Sequence, residues 1–294
     1  MFSVLTLNKN RTNHLSALIK GLDRSTKFPK ELIIVEMSEN PKKFSSPNFD
    51  IKTIHLKSDK LLLSKARNLA AHAATTEKLL FLDVDCIPAH DFTLRMSEAL
   101  DKYDDLVTCE VYYLPPGCIK YNKTTIPPED YLIKNGKPIK YRVFENGIVK
   151  PGTYDLFWSL AFAVNKKVFE KIGGFCEEFI GYGAEDTEFA YRAQQKNIKH
   201  MMAGTTKVFH QYHPVHTHPY SHFEDIIGNA RTYYKLHGYW PMSGWLKKFQ
   251  KYGFIEWSET NINILKYPKT KLIPGANSFT HFLNKILFNI SKVL

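Results

Sequence analysis

The sequence is poor in cysteine and lacks the spacings that metal ribbons and redox motifs need. Its four cysteines, Cys86, Cys109, Cys118 and Cys176, form no C-x-x-C pair, which excludes a zinc ribbon and a dithiol redox motif. The expectation is four reduced thiols in a cytoplasmic protein. No apolar run approaches the ~20 residues that cross a bilayer, so any membrane contact is peripheral. The opening segment Met1–Leu7 has no basic stretch and too short an apolar run for a signal peptide. There is no H-E-x-x-H for a zinc hydrolase of that type, no internal repeat and no low-complexity tract.

What is present points to a folded α/β chain. Of 294 residues, 44% are hydrophobic, enough for a sizeable core. Lys and Arg number 40 against 29 Asp and Glu, a formal net charge of +11, which favours anionic partners: nucleic acid, acidic lipid or phosphorylated small molecules. No nucleic-acid-binding motif accompanies that charge, so nucleic acid is not the expected partner.

The first hundred residues alternate strand and helix patterns. Phe2–Leu7 reads as a strand, Arg11–Leu22 as a helix, Leu32–Val35 and Ile51–Leu56 as strands, Leu61–Thr75 as a helix and Leu79–Leu82 as a strand. This order predicts an open, mostly parallel sheet covered by helices. Ligands then sit beyond the carboxyl ends of the strands, where Asn8, Glu36 and Asp83–Asp85 fall. Residues 111–155, rich in Pro, Gly and Tyr, read as a loop or hairpin insert of the kind that covers substrates. Phe157–Val164 is a predicted strand; Asn165–Ile172 and Glu185–Lys196 are predicted helices. From residue 219 the chain reads as a helical, aromatic and basic extension to 294, following a catalytic domain over 1–218. Its final segment, Phe279 to Leu294, has apolar residues at three- to four-residue spacing, an amphipathic helix. That helix either packs on its own core or a partner chain, or lies on an anionic membrane with Trp and Lys at the headgroups.

Three clusters carry chemistry. Asp83-Val84-Asp85 follows the fourth predicted strand, and alternation along an extended chain would put both carboxylates on one side, suited to a hard divalent cation. Such a cation neutralises a diphosphate leaving group. Next, Gly173, Gly174, Gly181 and Gly183 precede Glu185-Asp186 at a helix start. The choice there is between an N-capped helix after a glycine turn and a general base able to deprotonate a hydroxyl. Last, His210, His213, His216 and His218 fall within nine residues. Without a cysteine they fit a mixed imidazole–carboxylate site for Mn²⁺ better than tetrahedral zinc.

The ordered set Thr6-Leu7-Asn8-Lys9-Asn10-Arg11, Ser64-Lys65-Ala66-Arg67-Asn68, Phe81 to Pro88 and Gly-Gly-Phe…Gly-Tyr-Gly-Ala-Glu-Asp resembles glycosyltransferase family 2 over about residues 1–215. Its second half is similar to the catalytic regions of the β-1,4-galactosyltransferases and polypeptide N-acetylgalactosaminyltransferases. The resemblance implies a GT-A, Rossmann-like fold and an inverting hexosyltransferase. It would use a UDP-sugar donor, a saccharide or lipid-linked saccharide acceptor, and Mn²⁺ or Mg²⁺.

By position, it implies metal ligation by Asp85, His210 and His213, the catalytic base at Asp186, and hydroxyl binding by Glu185. Thr6, Asn8, Arg11, Glu36, Arg67, Asp83 and Asp85 would line the donor site, and Tyr182, Gly183 and Trp158 the acceptor site. His210 departs from the galactosyltransferases, which carry methionine at one ligand position, and Glu36 stands where relatives commonly carry aspartate. A cytoplasmic enzyme, peripheral at the inner face of the cell membrane and serving surface polysaccharide or glycolipid synthesis, would fit this pattern. A binding module that keeps the fold without the chemistry would have no need of Asp186.

Overall fold

The protein is described from a computed structural model, covering residues 1–214 and 219–269. The predicted alternation is realised as β1 (Phe2–Asn8), α1 (Thr12–Leu22), β2 (Glu31–Glu36), β3 (Asp50–His55), α2 (Leu63–Ala73) and β4 (Lys78–Leu82). A short β5 (Cys86–Pro88), α3 (Phe92–Lys102) and β6 (Leu106–Tyr113) follow. The insert holds α4 (Glu129–Asn135), β7 (Lys137–Pro138) and β8 (Val149–Pro151). The chain then returns through β9 (Ala161–Asn165), α5 (Lys166–Ile172), α6 (Glu185–Gln195) and β10 (His200–His210). The last described elements are α7 (Phe223–His237), α8 (Ser243–Lys251), β11 (Ile255–Trp257) and β12 (Ile262–Ile264).

The main sheet runs β3-β2-β1-β4-β9-β6-β10-β5. It is parallel across β3, β2, β1 and β4 and again between β6 and β10; β9 lies reversed between the two sets. β1 and β2 are buried along their whole length, so both faces carry apolar residues, as a helix-covered sheet requires. On one face α1 and α3 pack through Leu15, Leu18, Leu22, Phe92 and Met96. On the other, α2, α5 and α6 meet the sheet through Ala66, Ala70, Phe169 and Phe189. Phe189 stacks on Phe175 at 4.2 Å and lies within 6.2 Å of Phe157, Phe162 and Phe169. These edge and offset contacts add to the burial term and fix α6 against the sheet.

Several expectations need correction. Strand β9 begins at Ala161 rather than Phe157, because Tyr154–Leu156 form a 3₁₀ turn and Phe157 turns into the aromatic cluster. The insert, expected as a loop or hairpin, holds the helix α4, and its strands β7 and β8 pair with β6 and β10 rather than with each other. Asp83–Asp85 is not extended: the Cys86 N–H donates to Asp83 O at 2.9 Å, closing a turn. The tail is helical only in part. Ile255, Trp257, Ile262 and Ile264, β-branched or aromatic, pair as a hairpin around residues 258–261, a composition that favours strands. The predicted helix over Phe279–Leu294, with its membrane reading, lies outside the described residues, as do His216 and His218. Among the described residues no helix is long and apolar enough to cross a membrane.

Replacing Phe189 by Ala should cost about 3–5 kcal/mol through the cavity it leaves, read as a lowered denaturation midpoint. An unchanged midpoint would show that α6 is held by other contacts.

Candidate functional site

The carboxyl ends of β1, β2 and β4 converge on one cleft, and β10 reaches it from the other half of the sheet. Antiparallel pairing of β10 with β5 sets His210 opposite Cys86, and the Gln211 N–H donates to Asp85 O at 2.7 Å. This register brings together residues more than a hundred positions apart. His210 Nε2 lies 3.4 Å from Asp85 Oδ1, and His213 Nε2 lies 3.4 Å from Asp85 Oδ2. One ligand atom from each of the three residues falls within 4.8 Å of the others.

Asp85 Oδ1 is buried without a hydrogen-bond partner, an orphaned anionic oxygen of the kind a bound cation satisfies. Two imidazole nitrogens and a carboxylate match a borderline divalent ion, so the donor set fits Mn²⁺ better than the harder Mg²⁺. Burial opposes ionisation of Asp85, but His210, His213 and Arg11 outweigh it and hold its pKa down to about 2. Burial draws His213 down to about 4, against the pull of Asp85, which keeps its ring neutral and able to ligate.

The two acidic residues of the D-x-D turn face different partners. Asp85 meets the histidines and Arg11 Nη1 at 3.2 Å, whereas Asp83 meets Arg67 Nη2 at 3.4 Å. Arg67, on α2, has only 4% of its side chain exposed; it also reaches Glu185 Oε1 at 3.3 Å and lies 5.0 Å over the Phe175 ring. Burial would lower its pKa, but Asp83, Glu185 and Asp186 more than reverse this. The Asp83 carboxyl is pushed up to about 6 by desolvation, with Asp85 and Glu185 adding to the effect.

Asp186 lies in the first turn of α6, entered through Ala184 in the left-handed region at φ 69°. Desolvation and the adjoining Glu185 raise it to about 7, where a carboxylate can serve as general base near neutral pH. The preceding turn needs its glycines. A Cβ on Gly181, at φ +81°, would come within 2.2 Å of the Asp225 carboxyl. Asp225 accepts from the Tyr182 N–H at 3.3 Å, and Asn229 bonds both the Ile180 N–H and Gly183 O. Helix α7 therefore clamps the turn that presents Asp186. Tyr182 stacks on His222 at 4.6 Å and on Trp245 at 5.9 Å.

The remaining expected donor residues sit deeper. Glu36 is buried and accepts from Asn8 Nδ2 at 2.7 Å, while Asn8 Oδ1 accepts from the Arg11 N–H. Thr6 is 1% exposed within β1, in the strand rather than at its mouth. Trp158 lies against the insert, its ring 4.5 Å from the Arg142 guanidinium. Sequence reasoning missed His14, whose ring adjoins Tyr121 at 5.2 Å and which senses Asp85. It also missed Arg142. Nothing local marks either residue: His14, in the first turn of α1, meets Gln211 and Tyr212 just after β10, and Arg142 comes from the insert.

A profile of the family described as "Glycosyltransferase like family 2" matches residues 8–235, and the chain belongs to that family. Among solved structures, it resembles GalNAc-T7, crystallised with UDP, GalNAc and Mn²⁺, at 17% identity and a TM-score of 0.55, covering 72% of this chain and 44% of that one. It also resembles S. aureus TarS at 16% identity and a TM-score of 0.51, covering 79% of this chain and 39% of that one. The chain thus spans less than half the length of either. At such identities the likeness shows the fold, which is GT-A. No curated protein matches the sequence.

If Asp85, His210 and His213 hold the cation, replacing His213 by Ala should weaken Mn²⁺ binding by about tenfold or more, followed by the electron paramagnetic resonance of free Mn²⁺. Unaltered binding in both the His210→Ala and His213→Ala proteins would remove them from the site.

Proposed function

We propose that the chain is an inverting, metal-dependent glycosyltransferase that moves a hexose or N-acetylhexosamine, galactose-type favoured, from a UDP-sugar to a saccharide acceptor. Synthesis of surface polysaccharide or glycolipid is the setting this reading favours. It draws on family membership, and the observation that carries it is the sequence of charges along the cleft. The cation triad stands at one end, Asp186 at the other, and Arg67 joins them through Asp83 and Glu185.

In this reading Asp186 takes the proton of an acceptor hydroxyl as that oxygen attacks the anomeric carbon. The bond from that carbon to the diphosphate oxygen breaks in the same displacement, and UDP departs with the electron pair. A single in-line attack inverts the anomeric configuration. A divalent cation held by Asp85, His210 and His213 would supply the charge neutralisation that makes diphosphate a good leaving group. Arg11, paired with Asp85 Oδ2, is positioned to add positive charge beside the phosphates. Asn8, fixed by Glu36, shapes the donor side. Arg67, engaged by two carboxylates, orients Glu185 toward substrate hydroxyls rather than meeting the diphosphate itself. On the acceptor side stand Tyr182, Gly183 and Trp158, with His222 and Trp245 extending the aromatic wall.

UDP release from UDP-sugars with Mn²⁺ and saccharide acceptors should be abolished by chelation. It should fall by about 10²–10⁴-fold in kcat for Asp186→Asn. Because the base works as the carboxylate, wild-type activity should rise with pH through about 7 and be lost below it. Turnover of Asp186→Asn at the wild-type rate would refute the base assignment.

A further inference from the structure

Arg142 is a buried cation with no ion-pair partner among the described residues. It is 4% exposed, and its Nε is buried with no hydrogen-bond partner. The groups packed around it are uncharged, the Trp158 ring at 4.5 Å, the Phe144 ring at 5.4 Å and the Tyr113, Tyr141 and Cys109 side chains, and the Asp186 carboxylate acts on it without forming an ion pair. Other arginines of the protein are not left so. The buried Arg67 meets two carboxylates, and the half-buried Arg192 forms a two-toothed contact with Glu188.

Burying an unpaired charge is costly. A cation–π contact offsets only part of that cost. The Trp158 ring lies over the guanidinium, whose N–H groups point along the edge of its plane, the edge through which an arginine binds a planar or tetrahedral oxyanion. Burial pulls the Arg142 pKa down; Tyr113, Cys109, Tyr141 and Asp186 oppose it. A bound anion would act in the same sense as that opposition.

Position indicates which substrate would supply the anion. The Tyr113 ring lies 4.9 Å from that of His210, so Tyr113 separates Arg142 from the cation triad. Arg142 is near enough to Asp186 to feel its charge. The charge of a UDP-hexose is on its diphosphate, already faced by the triad and Arg11. Arg142 comes instead from the insert, against Trp158 on the acceptor side.

We propose that Arg142 determines acceptor specificity: its guanidinium receives a negatively charged group, a sugar carboxylate or phosphate ester, on the saccharide whose hydroxyl is glycosylated. A net charge of +11 suits a polyanionic acceptor. The inference rests on the transferase reading of the same cleft, and its test keeps the two apart.

Methyl glucuronide and glucose 6-phosphate, each against neutral methyl glucoside, are titrated into the protein with UDP and Mn²⁺ present, following tryptophan fluorescence. UDP binding is measured in the same samples. The wild-type protein should bind the charged sugars at least about tenfold more tightly. Arg142→Gln should erase that preference while leaving UDP binding intact, and Arg142→Lys should keep part of it. Equal affinities in the wild type overturn the proposal without any variant, and so does a preference that survives in Arg142→Gln. An Arg142-dependent preference for UDP-glucuronate over UDP-glucose, with none among acceptors, overturns it too. Failure to bind UDP with Mn²⁺ speaks against the donor reading and leaves the charge preference separately measurable.

Discussion

A single buried guanidinium organises the cleft. Arg67 rises from α2 between the turn after β4 and the start of α6, pairing Asp83 with one side and Glu185 with the other. Four carboxylates, Asp83, Asp85, Glu185 and Asp186, crowd into one depression of a strongly basic chain, and unrelieved repulsion would open it. Stacked on Phe175 and nearly sealed from water, Arg67 relieves that repulsion. It thereby ties the strand-end turn to the helix that carries Asp186. The aromatic cluster beneath fixes α6 at the required height, so packing and electrostatics act on the same joint.

Much of this was legible in the sequence, for definable reasons. The alternation of buried strands and amphipathic helices over the first hundred residues is a local signal, and β1 to β4 formed within one or two residues of expectation. The D-x-D turn and the Glu-Asp helix start are also local, and both lie at the cleft. Their geometry was not local. The turn closed by Cys86 N–H directs Asp83 and Asp85 to different partners, where simple strand alternation puts them side by side. The meeting of Asp85 with His210 and His213 depends on β5 pairing with β10. A three-residue strand that short carries almost no periodic signature.

The tail shows the same limit. Read as an extension, it supplies Asp225 and Asn229 to hold the Ile180–Gly183 turn, and His222 and Trp245 to stack against Tyr182. Gly181 and Gly183 adopt positive φ, and at Gly181 a side chain would strike Asp225. The turn that presents Asp186 is thus shaped by a helix some forty residues further along. Arg142 was invisible for a related reason: a single arginine in a Pro- and Tyr-rich insert is unremarkable until its burial, with no ion-pair partner among the described residues, is known.

The central claim is a one-step displacement between the cation triad and Asp186. Its most direct test is the anomeric configuration of the product formed from an α-linked UDP-hexose, read from the proton coupling at the anomeric centre in the nuclear magnetic resonance spectrum. The account predicts a β-linked product. An α-linked product would require two displacements or front-side attack, and would contradict the role given to Asp186.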